Sequence, residues 1–444
     1  MRELFGTDGI RGKARQYPLD PITMFALGEA LAHRLAAKGA AKKILLGMDT
    51  RESGPEIARA LAAGAARGGS EAVFIGVVPT PAVAFLCRTT DAEAAISISA
   101  SHNPFEDNGV KIFGHDGMKL ADSIEEAIED ELRALRRDDT TIPDVPLTEN
   151  GDLIEAYETF LVAGVPPGAL SGKKVVLDTG YGAAHRIAPE VFRRAGAEVV
   201  VIHDTPNGRN INEGSGALHP EKLARVVVEE QADFGVAFDG DADRAIFVDD
   251  AGNVRDGDEI IYLWAKHLRE RGELRGNCVV TTVMSNFGFE KQLRADGIEL
   301  IRAQVGDKYV LAEMLQRDAV LGGEQSGHII DRAVHTTGDG IHTALVFGYI
   351  LGEAKQRFSS LHTFDPMPQL LVNERVSAKP PLESLPRYQA ALAQATRDLN
   401  GRGRILVRYS GTENLVRVMV EGEDQEQITR IAEELRTVLK QEIV

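Results

Sequence analysis

The sequence predicts an α/β fold: three similar α/β domains with mostly parallel mixed sheets, and a C-terminal α+β domain. Three observations predict this fold. A pattern of strand, helix and strand occurs three times, and each copy is typical of the βαβ unit that builds parallel sheets. After Pro368 the pattern changes to one typical of helices on one side of an antiparallel sheet. The length of 444 residues is also too great for a single core.

The first copy illustrates how each element is inferred. Residues 43–47 form a short apolar run that predicts a buried strand. Pro55 is a helix-start signal, and Ile57 and Leu61 then share one helical face. Residues 72–75 predict the second strand. The second copy covers residues 174–202, and the third covers residues 278–301.

The C-terminal region predicts three strands and two helices. The predicted elements are strands at residues 370–376, 404–409 and 415–421, and helices at residues 385–399 and from about residue 425 onward. Asp424 and Gln427 predict a capping box at the start of the last helix. Turn-rich and proline-rich stretches between the patterns predict four domains, with limits at 1–150, 151–251, 252–366 and 367–444.

Composition and charge exclude several classes of protein. With 43% hydrophobic and 26% charged residues, the chain is an ordinary globular protein. A net charge of −17 argues against nucleic acid or an anionic membrane as the main partner. Cys87 and Cys278 are predicted to be buried thiols of a cytosolic protein, and no run is long and apolar enough for a membrane span. We therefore expect a cytoplasmic protein.

Residues 94–113 predict a strand, a serine-rich turn and a returning strand that carries Lys111. Asn108-Gly109 is a strong signal for the hairpin turn. Ser101 would then lie at the tip of a rigid scaffold, which is a suitable place for a nucleophile. The alternative is a turn whose hydroxyls only satisfy backbone groups.

Ser101 does not fit a serine hydrolase. The nucleophile elbow requires Gly-x-Ser-x-Gly, whereas Ser101 has no flanking glycines. His102 follows directly, and a histidine in that position is not expected to turn back and act as the base. Some other device must activate the serine.

Three aspartates predict a metal site. Asp239, Asp241 and Asp243 alternate in a short loop between two apolar strands, and such carboxylates stay together only if a cation neutralises them. An EF-hand requires glycine at its sixth position, where Arg244 stands. Mg²⁺ with an additional ligand from outside the protein fits better. The alternative is a solvated acidic turn.

Two further loops carry polar groups. In residues 322–328, Glu324 and Ser326 could bind sugar hydroxyls, and His328 could transfer a proton near neutral pH. The loop after residue 407 could surround a dianion with guanidinium, hydroxyl and backbone N–H groups, namely those of Arg408, Ser410, Gly411, Thr412 and Arg417. Each loop could instead be an ordinary polar turn.

Together these loops indicate phosphoryl transfer on a phosphorylated carbohydrate. A serine tip, a metal loop, a sugar loop and a phosphate loop occur once each, as expected for four domains around a central cleft. A glycine-rich turn near the N-terminus adds Arg11 as a group that could face an anion. Because no nucleotide-binding fingerprint is present, ATP is not expected to be the phosphoryl donor.

The chain resembles the α-D-phosphohexomutases over essentially its whole length. The matching stretches are FGTDGIRG from Phe5, VPTPAV from Val78, SASHNPFEDNGVKIF from Ser99, NIN from Asn210, DGDADR from Asp239, VGDKYV from Val305, GGEQSGH from Gly322, TTGDGI from Thr336 and RYSGTEN from Arg408. The resemblance implies that Ser101 is carried as phosphoserine. It also implies one Mg²⁺ per chain, bound by that phosphate with Asp239, Asp241 and Asp243, and a sugar 1,6-bisphosphate intermediate.

The resemblance also implies roles for the other site residues. Glu324 and Ser326 would contact sugar hydroxyls, and Arg244 would support the phosphoserine. The loop from Arg408 to Arg417 would hold the non-reacting phosphate, although Tyr409 and Asn414 replace the more common Lys and Pro. Three groups would provide proton transfer or charge stabilisation, namely Arg11, Lys111 and His328. The resemblance does not assign one of these roles to each of them.

Two of the matching stretches, FGTDGIRG and GGEQSGH, are the versions found in members that act on glucosamine phosphate. The expected substrate is therefore a phosphorylated amino sugar, supplying the precursor of UDP-N-acetylglucosamine and peptidoglycan. Broader specificity for glucose and mannose phosphates is the alternative within the family. A non-catalytic sugar-phosphate sensor and a metal-dependent phosphatase are alternatives outside it. The resemblance further implies a homodimer.

Overall fold

The computed structural model describes residues 4–6, 8–36, 42–410 and 414–443. The chain divides into two compact units. The first contains Met1–Thr282 and Ile301–His362, and the second contains Val283–Leu300 and Thr363–Val444. Within the described ranges, no helix combines the length and apolarity that crossing a bilayer requires.

The first α/β domain has a six-stranded mixed sheet. Its strands are β1 (Phe5–Gly6), β2 (Gly9–Lys13), β3 (Lys43–Met48), β4 (Glu71–Val77), β5 (Ala92–Ile98) and β6 (Asp107–Gly114). Its helices are α1 (Pro21–Ala36), α2 (Gly54–Arg67), α3 (Thr80–Thr89) and α4 (Asp122–Leu135). In the order β1-β2-β6-β5-β3-β4, β3 pairs in parallel with β4 and β5, while β6 pairs antiparallel with β5 and β2. The predicted parallel unit is therefore present, with an antiparallel extension.

Helix α2 has the face that the sequence predicted. Pro55 stands in its first turn, where a missing N–H costs nothing because that donor has no intrahelical partner. Ile57 and Leu61 are buried in the core of the domain. Burial of each such side chain contributes about 1.5–3 kcal/mol, so this face fixes the helix against the sheet.

The predicted hairpin exists, but the position predicted for its turn is wrong. Asn108 and Gly109 lie inside β6, where they pair with Gly12 and Arg11 of β2. The connection instead takes residues 99–106, which carry the serine-rich segment. Glycine at position 109 lets the backbone of β6 pass close to the Ser99 carbonyl oxygen, because a Cβ there would lie 2.5 Å from that oxygen. Pairing of β6 with β2 therefore outweighs the local preference of Asn-Gly for a turn.

The second α/β domain has a five-stranded sheet in the order β11-β10-β9-β7-β8. Its elements are α5 (Gly151–Ala163), β7 (Lys174–Asp178), α6 (Ala184–Arg194), β8 (Glu198–Ile202), α7 (Glu221–Glu229), β9 (Phe234–Phe238), β10 (Ala245–Asp249) and β11 (Val254–Arg255). Strands β9 and β10 are buried throughout and pair antiparallel. Their connection is the predicted metal loop, which is thus held by two core strands.

The third α/β region has a four-stranded sheet in the order β13-β12-β14-β15. Its elements are α8 (Gly257–Glu270), β12 (Cys278–Thr282), α9 (Phe287–Ala295), β13 (Glu299–Ala303), α10 (Asp307–Arg317), β14 (Leu321–Gly323), β15 (Ile329–Asp331) and α11 (Gly340–Ala354). Strands β14 and β15 pair antiparallel, and the predicted sugar loop connects them. Cys87 and Cys278 are buried thiols, as predicted.

The second compact unit contains the predicted α+β fold. Its elements include β16 (Gln369–Arg375), α12 (Pro386–Leu399), β17 (Gly403–Tyr409), β18 (Leu415–Gly422) and α13 (Gln425–Glu442), and its three strands are antiparallel in the order β16-β18-β17. Asp424 caps α13 by accepting from the amides of Glu426 and Gln427. The Gln427 side chain donates to the Asp398 carbonyl, which ties α13 to the end of α12.

Candidate active site

Ser101 lies in the connection between β5 and β6, with a left-handed φ of 53°. This conformation costs a residue other than glycine roughly 1–3 kcal/mol, so it persists only where surrounding contacts hold it. The Ser101 amide donates to Ser99 Oγ at 2.9 Å, and the Ser101 hydroxyl donates to Asp239 Oδ2 at 2.6 Å. The side chain is buried, at 1% exposure. Backbone strain and hydrogen bonds thus aim the hydroxyl at the aspartate loop.

Arg51 holds the backbone of this connection. Its guanidinium donates to four carbonyl oxygens: that of Pro104, and those of Ser101 at 2.9 Å, Asn103 at 2.8 Å and Asp107 at 3.0 Å. It also pairs with Asp49 at 2.8 Å, and both side chains have no exposed surface. A planar guanidinium suits this role because its five N–H groups have fixed directions. The serine tip is therefore a preorganised loop.

The three predicted metal ligands meet in the loop between β9 and β10. Carboxylate oxygens of Asp239, Asp241 and Asp243 lie within 4.8 Å of one another, and all three residues are buried. Within the described part of the chain, Asp241 Oδ1 and Asp243 Oδ1 are buried without a hydrogen-bond partner. Burial first, and then the charges of Asp243 and Asp241, raise the pKa of Asp239 to about 8. This concentration of oxygen donors and negative charge could bind a metal ion.

Lys111 neutralises part of this charge. Its Nζ lies 2.9 Å from Asp241 Oδ2 and 3.0 Å from Asp243 Oδ2. Burial would lower the pKa of Lys111, but the charges of Asp241, Asp243 and Asp8 outweigh it and raise that pKa well above its usual value. Lys111 is therefore a fixed cation beside the candidate metal site.

His102 turns back towards the serine, so the expectation from its sequence position was wrong. Its Nδ1 lies 3.3 Å from Ser101 Oγ and accepts from Arg244 Nη1 at 2.9 Å. Burial, followed by the charges of Arg244 and Arg11, lowers the pKa of His102 to about 4. The left-handed backbone of Ser101 makes this approach possible. A ring that is so weakly basic and already accepts from a guanidinium is nevertheless a poor general base.

A cavity of about 410 Å³ opens beside these groups within the first unit. Its polar lining consists of Asp8, Arg11, His102, Asp243, Arg244, Asp307, Glu324 and His328. The volume falls within the range of about 300–1,000 Å³ that small-molecule sites occupy. Both cations and carboxylates line it, which suits a ligand that carries a phosphate together with hydroxyl or amino groups.

His328 lies between two carboxylates of this cavity. Its Nδ1 is 3.6 Å from Asp243 Oδ1, and its Nε2 is 3.7 Å from Asp307 Oδ2. Burial would lower the pKa of His328, but Asp243 and then Asp307 outweigh it and raise that pKa. The Gly338 amide opposes them by donating to Nε2 at 3.0 Å, which favours the neutral ring with its proton on Nδ1. A Cβ at Gly338 would lie 2.7 Å from Nε2, so this approach requires glycine.

The predicted sugar loop also contributes to the cavity. Glu324 lines the cavity, and its two oxygens accept from the Gly306 amide at 3.2 Å and from the Ser326 hydroxyl at 3.3 Å. Glu324 is half-buried and Ser326 is exposed. The carboxylate is thus held by neutral donors, and the Ser326 hydroxyl lies in reach of solvent and ligand.

Arg11 is bound to the same wall by the N-terminal turn. Its Nη1 lies 3.4 Å from the Ala100 carbonyl oxygen, and its Nη2 pairs with Asp8. Burial would raise the pKa of Asp8, but Lys111, Lys119 and Arg11 hold that pKa well below its usual value. Asp8 therefore gathers cations on one side of the cavity.

The predicted phosphate loop lies in the second unit. Arg408 of β17 stands opposite Arg417 of β18, and burial followed by the Arg417 charge lowers the pKa of Arg408. Two cations that face each other favour a bound anion. The Ser410 carbonyl accepts from Lys379 Nζ at 2.7 Å, which brings a further cation to the loop. Gly411 and Thr412 lie outside the described residues.

Several polar residues of the site, Asp307 of the cavity lining among them, were not predicted from the sequence. Thr80 Oγ1 donates to Asp241 Oδ2 at 2.6 Å, and Asn212 Nδ2 donates to the Ser101 carbonyl at 2.9 Å. Together with Asp8, they stand in stretches that matched the family, so the polar side chains of those stretches were an available signal. Arg51 and Lys119 lie outside the matching stretches and act over long sequence distances.

Four domains of one family match the chain in order. They are the phosphoglucomutase/phosphomannomutase α/β/α domains I (residues 2–138), II (157–252) and III (256–366), and the C-terminal domain (371–438). Among solved structures, a phosphoglucomutase/phosphomannomutase family protein from Burkholderia thailandensis superposes with a TM-score of 0.81 at 23% identity, over 99% of this chain and 98% of that one. An N-acetylphosphoglucosamine mutase from Aspergillus fumigatus, in complex with GlcNAc-6P and magnesium, has a TM-score of 0.69 at 18% identity, over 100% and 96%.

Curated relatives are similar over their full length. Phosphoglucosamine mutase from Solibacter usitatus is 47% identical over 100% of this chain and 99% of its own. Phosphoglucosamine mutase from Symbiobacterium thermophilum is 46% identical over 100% of both chains. The chain therefore belongs to the phosphoglucomutase/phosphomannomutase family, and its full-length relatives within that family include these phosphoglucosamine mutases.

Proposed function

We propose that this chain is an isomerase that interconverts glucosamine 6-phosphate and glucosamine 1-phosphate, with Ser101 as the phosphoryl carrier. The observation that carries the proposal is the Ser101 hydroxyl, 2.6 Å from Asp239 and beside a buried set of three carboxylates. The names of the full-length relatives support the choice of substrate. The product would serve as the amino-sugar precursor of UDP-N-acetylglucosamine and peptidoglycan.

Asp239, Asp241 and Asp243 would hold one Mg²⁺ per chain, together with an oxygen of the phosphoserine. The buried, unpartnered oxygens of Asp241 and Asp243 support this assignment among the described residues. Mg²⁺ prefers hard oxygen donors and retains ligands from outside the protein. When bound, the ion supplies positive charge to the phosphoryl group that is being transferred.

The reaction consists of two transfers in opposite directions. In the first, the 1-hydroxyl oxygen of glucosamine 6-phosphate attacks the phosphorus of phosphoserine 101. A bond forms from phosphorus to O1, the bond to Ser101 Oγ breaks, the proton of the 1-hydroxyl moves to a base, and Ser101 Oγ takes up a proton to become the free hydroxyl. The product is glucosamine 1,6-bisphosphate. After the bisphosphate turns over in the site, Ser101 Oγ gives up its proton and takes the phosphoryl group from O6, which takes up a proton and leaves as the 6-hydroxyl of glucosamine 1-phosphate.

Charge stabilisation and proton transfer fall to different residues. Lys111 and Arg11 pair with Asp8, and the pKa of Lys111 is raised, so we assign both residues to charge neutralisation instead of base catalysis. Arg244, which lines the cavity and donates to His102, would support the phosphoserine. Histidine is the side chain whose ordinary pKa lies nearest to neutral pH, and we assign the proton transfer to His328, which lines the cavity. Positioning and charge neutralisation dominate such transfers.

Two loops would bind the substrate. Glu324 and Ser326 would bind sugar hydroxyls from the wall of the cavity, since both carry free hydrogen-bonding capacity for a ligand. The non-reacting phosphate would bind the donors of the loop in the second unit, namely Arg408, Ser410, Gly411, Thr412 and Arg417. The facing cations Arg408 and Arg417 support this role.

Comparison of three substrates tests the proposal. Initial rates with the 6-phosphates of glucosamine, glucose and mannose should give the highest kcat/KM for glucosamine 6-phosphate. A clear preference for glucose 6-phosphate would instead indicate a phosphoglucomutase/phosphomannomutase of broader specificity. Release of inorganic phosphate without isomer formation would indicate a phosphatase. The homodimer that the resemblance implies is tested by analytical ultracentrifugation.

A further inference from the structure

Lys119 has no part in the assignments above, yet it lies between two carboxylates of the cavity wall. Its Nζ donates to Asp307 Oδ2 at 2.6 Å and also to Asp8 Oδ1. Asp8 belongs to the N-terminal turn, whereas Asp307 is the first residue of α10. Lys119 therefore joins two segments that are 299 residues apart through one ammonium group with 16% of its side chain exposed.

The two carboxylates each contact groups that the proposed reaction uses. Asp8 Oδ2 pairs with Arg11 and lies 3.4 Å from Lys111 Nζ. Asp307 Oδ2 lies 3.7 Å from His328 Nε2. Arg11, Lys111 and His328 are thus connected to Lys119 through a single carboxylate each. A shift of Lys119 would be transmitted to all three.

The backbone fixes Lys119 in this position. After β6 the chain folds back, so that the Gly114 amide donates to the Met118 carbonyl at 2.9 Å and the Leu120 amide donates to Ile112 at 3.3 Å. Lys119 itself forms an antiparallel bridge with Phe113. Because Phe113 and Ile112 belong to a core strand, the lysine starts from a rigid base.

The charge of Lys119 determines which group pairs with the Asp307 carboxylate. With the ammonium in place, Asp307 has a close cation, and His328 Nε2 can accept from the Gly338 amide at 3.0 Å. Without it, the Asp307 carboxylate would draw a donor from the imidazole at 3.7 Å. The hydrogen bond from the Gly338 amide to His328 Nε2 would then compete with a charge-assisted hydrogen bond between the imidazole and Asp307.

We propose that Lys119 is a positioning residue of the active site, holding Asp8 and Asp307 so that Arg11, Lys111 and His328 keep the geometry that phosphoryl transfer requires. The inference rests on the proposed function, because it concerns the rate of that reaction. Lys119 itself does not touch the reacting atoms.

The test is steady-state kinetics of Lys119→Met with glucosamine 6-phosphate. Because small displacements of catalytic groups reduce rates by up to about 100-fold, kcat should fall by about 10- to 100-fold. KM should change much less, since the lost effect acts on the transition state. Lys119→Arg keeps a cation with several donors, and it should recover most of the lost kcat.

Lys308→Met is the matched control. Lys308 Nζ pairs with Asp122 Oδ1 at 2.9 Å and likewise joins the start of α10 to the first domain. This pair is more exposed, at 23% and 60% of the side chains, and neither residue lines the cavity. Exposed pairs contribute only about 0–1 kcal/mol, so kcat and KM should stay within about twofold of the parent.

A second variant keeps the test decisive if Lys119→Met folds poorly. Lys119→Met combined with Asp307→Asn removes both opposite charges, and circular dichroism reports whether the fold persists. The double variant lacks the Asp307 charge that would draw His328, so its kcat should fall less than that of Lys119→Met, but it should stay below the parental value because Asp8 still loses its contact with Lys119. If the parent enzyme is active, a folded single or double variant with the parental kcat and KM would overturn the inference alone. A parent without turnover of glucosamine 6-phosphate would contradict the proposed function and this inference together.

Discussion

The hydroxyl of Ser101 donates to the carboxylate of Asp239 at 2.6 Å, and both residues are buried. This contact joins the tip of the β5–β6 connection to the loop between β9 and β10. A carboxylate with a pKa of about 8 beside two further aspartates is a site prepared for positive charge. Ser101 therefore stands where a phosphoryl group would be flanked by a cation, as a carrier requires and a serine protease does not.

Ser101→Ala should abolish the mutase reaction and preserve the fold. Because the variant lacks the oxygen that carries the phosphoryl group, kcat should fall by at least about 1,000-fold. The measurement is conversion of glucosamine 6-phosphate, with circular dichroism as the check on folding. Ser384→Ala is the control, because that exposed hydroxyl donates only to the Pro381 carbonyl. A folded Ser101→Ala enzyme with substantial turnover would contradict the carrier role.

Magnesium affinity of the unphosphorylated enzyme should rise with pH. The pKa of Asp239 is raised to about 8, so the neutral carboxyl prevails below pH 8 and must lose its proton before it can bind a cation. The association constant should therefore increase by up to about tenfold per pH unit towards pH 8 and level off above it. Isothermal titration calorimetry at pH 6 to 9 measures this.

Asp239→Asn provides the control for the pH dependence. The amide cannot titrate, so the slope that Asp239 contributes should disappear while overall affinity falls. Proton release on Mg²⁺ binding, measured in two buffers of different ionisation enthalpy, should disappear with it. An affinity of the parent enzyme that is constant from pH 6 to 9 would contradict the assignment of Asp239 as a ligand.

Arg51→Met should destabilise the protein strongly. The substitution leaves Asp49 buried without its cation, and loss of one partner of a buried ion pair costs about 3–5 kcal/mol. It also removes the donors that hold the serine connection, so activity should fall as well. Urea denaturation measures the midpoint of unfolding. Arg209→Met, which breaks an exposed pair with Glu52, should shift that midpoint little, and an equal shift in both variants would refute the argument.

Arg408→Met should weaken substrate binding. A charge-assisted hydrogen bond contributes about 1.5–3 kcal/mol, so KM for glucosamine 6-phosphate should rise by about tenfold or more. Because the non-reacting phosphate is bound equally in ground and transition states, kcat should change less. Arg402→Met is the control, since Arg402 is exposed in the same unit. An unchanged KM in Arg408→Met would remove this loop from the proposed site.

The sequence predicted the repeated units and the loops that carry the chemistry, because these depend on local patterns. Apolar runs such as those of β9 and β10 define their strands, and alternating aspartates indicate a cation regardless of the rest of the chain. The resemblance then connected the loops into one reaction. Local patterns mainly predicted which residue types each loop carries.

Contacts between distant segments were beyond local patterns. The turn predicted at Asn108-Gly109 was wrong because β2 pairs with β6, a contact across nearly 100 residues. His102 was misjudged because the left-handed φ of Ser101 is set by its surroundings. Arg51 and Lys119 acquire their roles only from carbonyls and carboxylates that the fold brings to them.

The central claim is that Ser101 carries the phosphoryl group, and mass spectrometry of the intact purified enzyme tests it most directly. The account predicts a fraction with one added phosphate, which peptide mapping places on Ser101. Excess glucosamine 6-phosphate with Mg²⁺ should discharge that phosphate into glucosamine 1,6-bisphosphate. A phosphate on another residue, or one on Ser101 that the sugar phosphate cannot discharge, would contradict the account.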